Sequence, residues 1–353
     1  MKISVLLPAY NAAPYLPLTL DSLAGQTFRD FEIVFVDDCS TDDTLAIMQS
    51  RAAGFPSAQI IHNAANQKLA RTLNIGLRRC QGEYIFRLDA DDLLAPDGLE
   101  KMLKTLAQNP QANGVVCDRL HIDAAGQPKR MSLTLTEDYY LKKNILFRTA
   151  FGGQPCLIRK DIWFAAGLFN ENLRFWEDYE MGLKMARHIH IVGVPERLYF
   201  YREYADNMTS RSRQDKTPRT RAQIQNLKNA LFTPADYIND WEQVKRHKDL
   251  LFDYAAERSQ KYANIILRCA LHLAALGRRS DALAELKKAE YLAPQVNYSA
   301  FAFLLKLGFK NLDKFRVNMN CWFNYTYDDH HVIAVPDGGG ERADLVKDLP
   351  FSA

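Results

Sequence analysis

The sequence lacks the features that mark membrane-spanning, disulfide-rich and zinc-binding proteins. No apolar run approaches the roughly 18 residues that a membrane-spanning helix needs, and the N-terminal run over residues 3–7 ends at Pro8. We therefore interpret this run as a first strand and not as a signal peptide. The six cysteines lie far apart without a Cys-x-x-Cys pair, so neither a zinc site nor a redox motif is predicted. Reduced thiols are typical of the cytoplasm, where we expect the protein to act.

Two further absences restrict the ligands. The net charge of +3 over 353 residues is too small to predict a nucleic-acid partner. The turn after the first strand reads "PAYNAAP" and lacks the glycines that let a backbone cradle a pyrophosphate. A dinucleotide-binding domain is therefore not predicted, and phosphates here would need another source of positive charge, such as a divalent cation. The adjacent His330 and His331 face opposite ways on an extended segment, so they do not predict a metal site.

What is present is a regular alternation of apolar runs and helical patterns. A hydrophobic content of 47% is enough to bury a full core, and the length predicts one large domain with a smaller one. The first 120 residues begin "ISVLLPAY", "YLPLTLDSLAGQ", "FEIVFVDD" and "DDTLAIMQSRAA". Strand followed by helix at this spacing predicts a parallel sheet covered on both faces. From about residue 150 the pattern becomes mixed.

The chain is predicted to divide into four segments. An α/β domain occupies 1–210, and a basic linker follows over 211–222, where it could also close over phosphates. A helical region occupies 223–323, and the tail over 324–353 shows no clear period. The helical region has the spacing of one tetratricopeptide-like helix pair, carried by Gly277, Ala282, Ala289 and Pro294.

The stretch "RLDADDLLAPD" places four aspartates directly behind an apolar run. Like charges this close repel one another unless a cation lies among them. In an extended strand Asp89 and Asp91 point to the same side, roughly 6.6 Å apart, which is wide for direct bonds from both to one small cation. We expect Asp91 to bind Mg²⁺ or Mn²⁺ and Asp89 to reach a sugar hydroxyl or a metal-bound water. The alternative is an acidic helix start, with Asp97 as the cap.

The second strand ends in the same way, in "VDDCSTDDT". Asp37 and Asp38 should therefore share a rim with Asn11 and the aspartates, because ligands of such sheets collect at the carboxyl ends of the strands. Ser40 or Thr41 is expected to cap the helix that follows.

Five motifs together resemble those of the inverting glycosyltransferases of family 2. In chain order they are "VLLPAYN", "VDDCSTDDT", "NQKLARTLNIGL", "GEYIFRLDADD" and "WEDYE", and the resemblance covers roughly residues 1–205. It implies a GT-A fold: a mixed, Rossmann-like sheet flanked by helices, here with a C-terminal α-helical region. It also implies metal-dependent transfer of a sugar from a UDP-sugar to a hydroxyl, with inversion.

The resemblance assigns individual residues to the nucleotide-sugar site. Tyr10 matches the aromatic residue that stacks on uracil, and Asp38 matches the carboxylate that faces the uracil imide. Either Lys68 or Arg71 would lie near the base or the phosphates, and Arg202 near the pyrophosphate. The complete expected set is Pro8, Tyr10, Asn11, Asp37, Asp38, Lys68, Arg71, Asp89, Ala90 and Arg202. Asp91, with Asp89, would hold the metal ion.

The resemblance also places the general base, which must take the proton of the acceptor hydroxyl as that oxygen attacks the anomeric carbon. Asp178 matches this base, and Glu177 is the neighbouring alternative. A helix N-terminus would lower the pKa of these carboxyls, whereas burial beside Phe175 and Trp176 would raise it. The sequence leaves that competition open. The metal would stabilise the departing UDP electrostatically.

The predicted protein is a cytoplasmic glycosyltransferase that extends a glycan or lipid-linked glycan in bacterial lipopolysaccharide or capsule synthesis. Loops near 152–156 and 168–176 should line the acceptor side. The C-terminal helices could dock a protein partner, a second copy of the chain or the inner face of the cytoplasmic membrane. Two alternatives stay open: a sugar-phosphate nucleotidylyltransferase, which should carry a glycine-rich phosphate loop, and a non-catalytic scaffold that acts through its helical region.

Overall fold

A computed structural model gives the architecture. It describes residues 2–136, 138, 141, 153, 155–173, 175–205 and 207, and then 266–267, 269–270, 273–274, 278–292 and 332–334. The predicted basic linker, most of the helical region and the histidine pair of the tail lie outside the described residues. Within the described residues, no helix has both the length and the apolar character required to cross a bilayer.

The N-terminal part confirms the predicted alternation of strands and helices. In chain order its elements are β1 (Ile3–Ala9), α1 (Leu16–Ala24), β2 (Phe31–Asp37), α2 (Thr44–Ala52), β3 (Ala58–His62), α3 (Leu69–Leu77) and β4 (Tyr84–Arg87). Strands β1 and β2 are buried along their full lengths, as expected of parallel strands with both faces covered.

The remaining elements are shorter and more varied. They are β5 (Leu93–Leu94), α4 (Gly98–Gln108), β6 (Gly114–Ile122), β7 (Pro128–Ser132), β8 (Cys156–Arg159), α5 (Lys160–Ala165), α6 (Glu177–Met185), β9 (Ile191–Arg202), α7 (Arg279–Leu292) and β10 (Val332–Ala334). Strand β10 pairs antiparallel with β7. It forms within the tail for which the sequence showed no period.

The described strands form a mixed sheet in the order β10-β7-β6-β8-β4-β1-β2-β3. Strands β4, β1, β2 and β3 are mutually parallel. Strand β8 is antiparallel to both of its neighbours, β4 and β6, and β9 runs parallel to β6. One edge of the sheet therefore holds the carboxyl ends of β1, β2, β3, β4, β6 and β9. Most of the predicted site residues lie in or just before the loops that follow these strand ends.

Two hydrophobic cores cover the two faces of the sheet. One contains apolar residues of α1, α2 and α4, such as Leu20, Met48 and Leu99. The other contains residues of α3, α5 and α6, such as Leu73 and Trp163. Buried residues of the helical region belong to this second core: Ile266 and Leu273 are members, and Leu283 packs against it.

Candidate active site

Unusual backbone conformations cluster where the strands end. Five non-glycine residues among those described have positive φ, and three of them follow β1, β2 and β3: Asn11, Cys39 and Lys68. A fourth, Trp176, lies two positions before the proposed base, Asp178. Such conformations typically cost about 1–3 kcal/mol and persist at functional sites, where the surrounding structure enforces them. This edge of the sheet is therefore the candidate active site.

The loops after β1 and β2 are joined by Asn11. Its backbone N–H donates to Ser40 Oγ over 3.0 Å, and its Oδ1 accepts from the backbone N–H of Thr41 over 2.8 Å. The expectation that Ser40 or Thr41 caps α2 is wrong, because α2 begins only at Thr44 and both residues bind Asn11 instead. Tyr10, beside this junction, is 51% exposed, so its ring is available to a ligand.

The two carboxylates that end β2 are buried and bind neighbouring protein groups. Asp38 accepts from the backbone N–H groups of Gln67 at 2.7 Å and Lys68 at 3.0 Å, and its other close donor is the Asn63 amide at 2.9 Å. Asp37 Oδ2 lies 2.7 Å from the Nδ1 atom of His62. Asp38 thus shapes the loop that precedes α3. Pro8 lies deep in β1, opposite Val36 of β2.

The two candidate cations after β3 occupy different positions. Lys68 has an exposed side chain and a strained backbone, with φ 70° and ψ 159°. Arg71 lies on α3, and its Nε is 3.8 Å from Glu171 in the loop that we assign to the acceptor side. Asn74, one turn further along α3, exchanges two hydrogen bonds of 2.9 Å with the backbone of Phe169. Helix α3 therefore anchors that loop.

The aspartates after β4 lie in a tight turn, residues 89–92, which we call the aspartate turn. The backbone N–H of Asp92 donates to the carbonyl of Asp89 over 3.1 Å. The carbonyl of Ala90, at the centre, accepts from the Thr19 hydroxyl of α1 over 2.9 Å. Because the backbone bends here, the wide separation expected for an extended strand does not apply.

One of the cations that the sequence required is Arg87, the last residue of β4. Its Nε and Nη2 donate to the two carboxylate oxygens of Asp89 over 2.9 and 3.0 Å. The side chain is only 4% exposed, and its Nη1 has no hydrogen-bond partner in the part of the chain that the structure describes. Our sequence analysis missed Arg87, although an arginine two positions before the first aspartate was a readable signal.

The second cation is Arg202, at the end of β9. Its Nε donates to the carbonyl of Asp91 over 2.9 Å, and Nη1 donates to the carbonyls of Asp123 and Ala124. The guanidinium lies 4.9 Å from the Tyr15 ring centre, and the residue is 1% exposed. The structure therefore places Arg202 in a buried position against the backbone of the aspartate turn, and its role near a pyrophosphate stays a prediction.

Two tyrosines on or just after β9 hold the aspartate carboxylates, and neither was predicted from the sequence. The Tyr204 hydroxyl donates to Asp91 Oδ2 over 2.8 Å, and its ring packs 5.0 Å from that of Tyr15. The Tyr199 hydroxyl donates to Asp92 Oδ2 over 2.6 Å. The strand end thus orients both acids of the turn.

The electrostatics of the turn favour a cation. Burial, reinforced by Asp89, raises the pKa of Asp91 to about 6. Burial, then Asp91 and Asp89, raises the pKa of Asp92 well above its usual value. Among the described residues, no three His, Cys, Asp or Glu side chains are grouped to hold a metal ion. A hard cation at this turn would therefore need phosphates and water for its remaining ligands.

The proposed base lies at the start of α6. Glu177 is 5% exposed, and burial followed by repulsion from Asp178 raises its pKa to about 8, although Arg87 opposes the shift. Burial therefore outweighs the helix N-terminus for Glu177. Asp178 is more accessible, and its Oδ1 accepts from the backbone N–H of Tyr179 over 2.7 Å. Gly153 packs against it, since a Cβ there would lie 3.0 Å from Asp178 Cβ.

The mixed sheet, with acidic turns at one edge, defines a GT-A type of nucleotide-sugar transferase fold. A similar fold occurs in the crystal structure of S. aureus TarS in complex with UDP-GlcNAc: the two chains are 19% identical, with a TM-score of 0.58 over 96% of this chain and 95% of that one. Residues 4–169 match the family described as Glycosyl transferase family 2.

Two curated relatives are each similar to 52% of this chain. An uncharacterized glycosyltransferase of Haemophilus influenzae is 32% identical over 190 residues, which cover 52% of this chain and 61% of the relative. Chondroitin synthase of Escherichia coli is 30% identical over 188 residues, which cover 52% of this chain and 26% of the synthase. This chain thus spans less than two thirds of either relative's length.

Proposed function

We propose that the protein is a metal-dependent inverting glycosyltransferase that moves a sugar from a UDP-sugar to a hydroxyl of a growing glycan. The observation that carries the proposal is the meeting of two acidic groups at one sheet edge. The aspartate turn follows β4, and the carboxyls of Glu177 and Asp178 begin α6. Burial lowers the pKa of Arg87, but the carboxyls of Asp89, Glu177 and Asp178 together raise it by more. An inverting transferase needs such a pair: a cation site for the diphosphate and a base for the acceptor.

On the donor side, Asp91 would bind Mn²⁺ or Mg²⁺, with Asp89 close by. When bound, the cation would neutralise charge on the departing diphosphate. Tyr10 would stack on uracil beside Asn11 and Asp38. Crystal structures of TarS contain UDP-GlcNAc or UDP. This property of TarS supports UDP as the nucleotide of the proposed donor. Lys68 or Arg71 would meet the phosphates.

On the acceptor side, Asp178 would take the proton of the attacking hydroxyl, because it is the more accessible of the two neighbouring carboxyls. Glu177, with a pKa near 8, would remain protonated at neutral pH and so would be unable to accept a proton. The contact between Gly153 and Asp178 keeps the space beside the base small. A family 2 domain favours this function over the nucleotidylyltransferase alternative.

The finer biological role is also a proposal. The relative named chondroitin synthase is by its name a polysaccharide-forming enzyme, which supports a glycan acceptor for this chain. A lipid-linked acceptor in lipopolysaccharide or capsule synthesis, contact with the membrane surface and self-association through the helical region remain our predictions.

Release of UDP by wild type and Asp178→Asn tests the proposal, with Mn²⁺ and each common UDP-sugar in turn. We expect one donor to give slow hydrolysis or transfer in wild type. In Asp178→Asn the rate should fall at least about 100-fold, while UDP with Mn²⁺ still raises the melting temperature. Glu177→Gln is the matched control and should keep the rate within about fivefold of wild type. Wild type that neither releases UDP nor is stabilised by UDP with Mn²⁺ would contradict the transferase function.

A further inference from the structure

Arg87 is the one described cation that pairs directly with a carboxylate side chain of the aspartate turn. It binds both oxygens of Asp89, and the pKa of Arg87 is raised because the carboxyls of Asp89, Glu177 and Asp178 together outweigh its burial. A buried guanidinium at the end of β4 is therefore fixed to the first carboxylate of the aspartate turn.

The two carboxylates of the Asp-x-Asp motif are held in different ways. Asp89 is bound by a guanidinium fork, which fixes the carboxylate plane and neutralises its charge. Asp91 is bound through one oxygen by the neutral Tyr204 hydroxyl, so its negative charge is not cancelled by that partner. Of the two, Asp91 offers the stronger attraction to a cation.

An ordinary structural ion pair does not account for this arrangement. Arg87 Nη1 is buried without a hydrogen-bond partner among the described residues. An unpaired buried donor of this kind is destabilising, and each such group in a native protein calls for an explanation. A side chain selected only for stability would be expected to satisfy all its donors.

We propose that Arg87 is a positioning residue that holds Asp89 away from direct cation binding, so that Asp91 alone binds the cation, and that fixes the orientation of Asp89 beside the base. The inference rests on the proposed function, because it assumes a divalent cation at Asp91. It goes beyond that function by giving the two aspartates separate tasks under the control of one buried arginine.

The inference predicts opposite effects on binding and on turnover. In Arg87→Gln the charge of Asp89 is no longer neutralised, so the site gains one unit of negative charge beside Asp91. Mn²⁺ should bind about tenfold more tightly, while UDP release falls at least about tenfold because Asp89 is no longer oriented. A residue that merely stabilised the fold would weaken both when it was replaced.

The experiment measures Mn²⁺ binding by electron paramagnetic resonance, and UDP release in parallel, on the full chain. Wild type, Arg87→Gln and Arg87→Lys are compared. Lysine keeps the charge and loses the fork, so Mn²⁺ affinity should stay within about twofold while UDP release falls about tenfold.

Weaker or unchanged Mn²⁺ binding in Arg87→Gln, with wild type binding normally, overturns the inference alone. UDP release by Arg87→Lys at the wild-type rate also overturns the inference. This comparison of Arg87→Lys with wild type tests the inference even if Arg87→Gln does not fold. Wild type that binds no Mn²⁺ overturns the proposed function and this inference together.

Discussion

The two adjacent carboxyls at the start of α6 have different chemical environments. Glu177 is buried and its pKa is raised to about 8 by burial and by Asp178, whereas Asp178 is more accessible. At pH 7 the protonated glutamic acid resembles a glutamine in charge and shape. Glu177→Gln should therefore keep UDP release within about fivefold of wild type at pH 7. A loss as large as that of Asp178→Asn would make Glu177 the base.

The raised pKa of Glu177 also predicts how stability changes with pH. The folded protein keeps this proton up to about pH 8, whereas the unfolded chain loses it near the ordinary value of 4.5. The contribution to stability is therefore fully present below pH 4.5 and is lost as the pH rises through 8. The melting temperature of Glu177→Gln should rise progressively above that of wild type from pH 5 to pH 9. The corresponding gain in the free energy of unfolding should be no more than about 4 kcal/mol. Exposed Glu290→Gln, on α7, should show no such trend.

Lys68 offers a test in which stability and binding move in opposite directions. Its φ of 70° with ψ of 159° lies in a region that essentially only glycine adopts without strain. Lys68→Gly should raise the stability by about 1 kcal/mol. If its ammonium meets the phosphates, the same change should weaken UDP binding about fivefold. Lys68→Ala is the matched control, which removes the charge and keeps the strain; equal UDP affinity in all three proteins would remove Lys68 from the site.

At the residue scale, acidic positions were easier to predict than their partners. Asp37, Asp38, Asp89 and Asp91 follow strands in the sequence, and the structure brings them to one edge. Their partners are remote: Arg202 and Asp91 are 111 positions apart. Only the closed sheet brings such pairs together, so no local pattern could reveal them.

At the scale of elements, the carboxyl end of β9 organises the aspartate turn. Tyr199 and the backbone of Arg202 bind Asp92, and Tyr204 binds Asp91. Groups that orient a ligand to a metal typically change its affinity by 10- to 100-fold. Tyr204→Phe should therefore weaken Mn²⁺ binding about tenfold with little change in melting temperature without metal. Tyr84→Phe, at the amino end of β4, is a matched control and should bind Mn²⁺ like wild type.

The elements that were predicted and those that were not differ in how they bury apolar surface. Strands β1 to β4 and helices α1 to α4 carry continuous apolar runs or helical periodicity, and so could be assigned from the sequence. Strand β5 has two residues and β10 has three. Each exists because a partner strand, β9 or β7, supplies its hydrogen bonds. Their formation depends on tertiary contacts that a sequence window does not contain.

At the scale of the whole molecule, the contacts of the helical region bear on whether it forms a separate domain. The sequence predicted a boundary near residue 210, with a linker before the helices. The described residues of that region nonetheless share a core with the N-terminal α/β part of the chain. Leu286 of α7 and Ala270 belong to the same buried cluster as Met181 and Leu183 of α6, the helix whose second residue is the proposed base, Asp178.

This shared core predicts that both parts unfold together. Leu286→Ala removes a side chain that is only 3% exposed and should cost about 2–5 kcal/mol. If the two parts form one cooperative unit, calorimetry should show one transition, lowered in the variant, and UDP with Mn²⁺ should raise that same transition. The exposed neighbour Lys287→Ala should melt like wild type. Two transitions, of which Leu286→Ala lowers one and UDP raises only the other, would instead establish an independent helical domain, because a ligand stabilises only the unit that binds it.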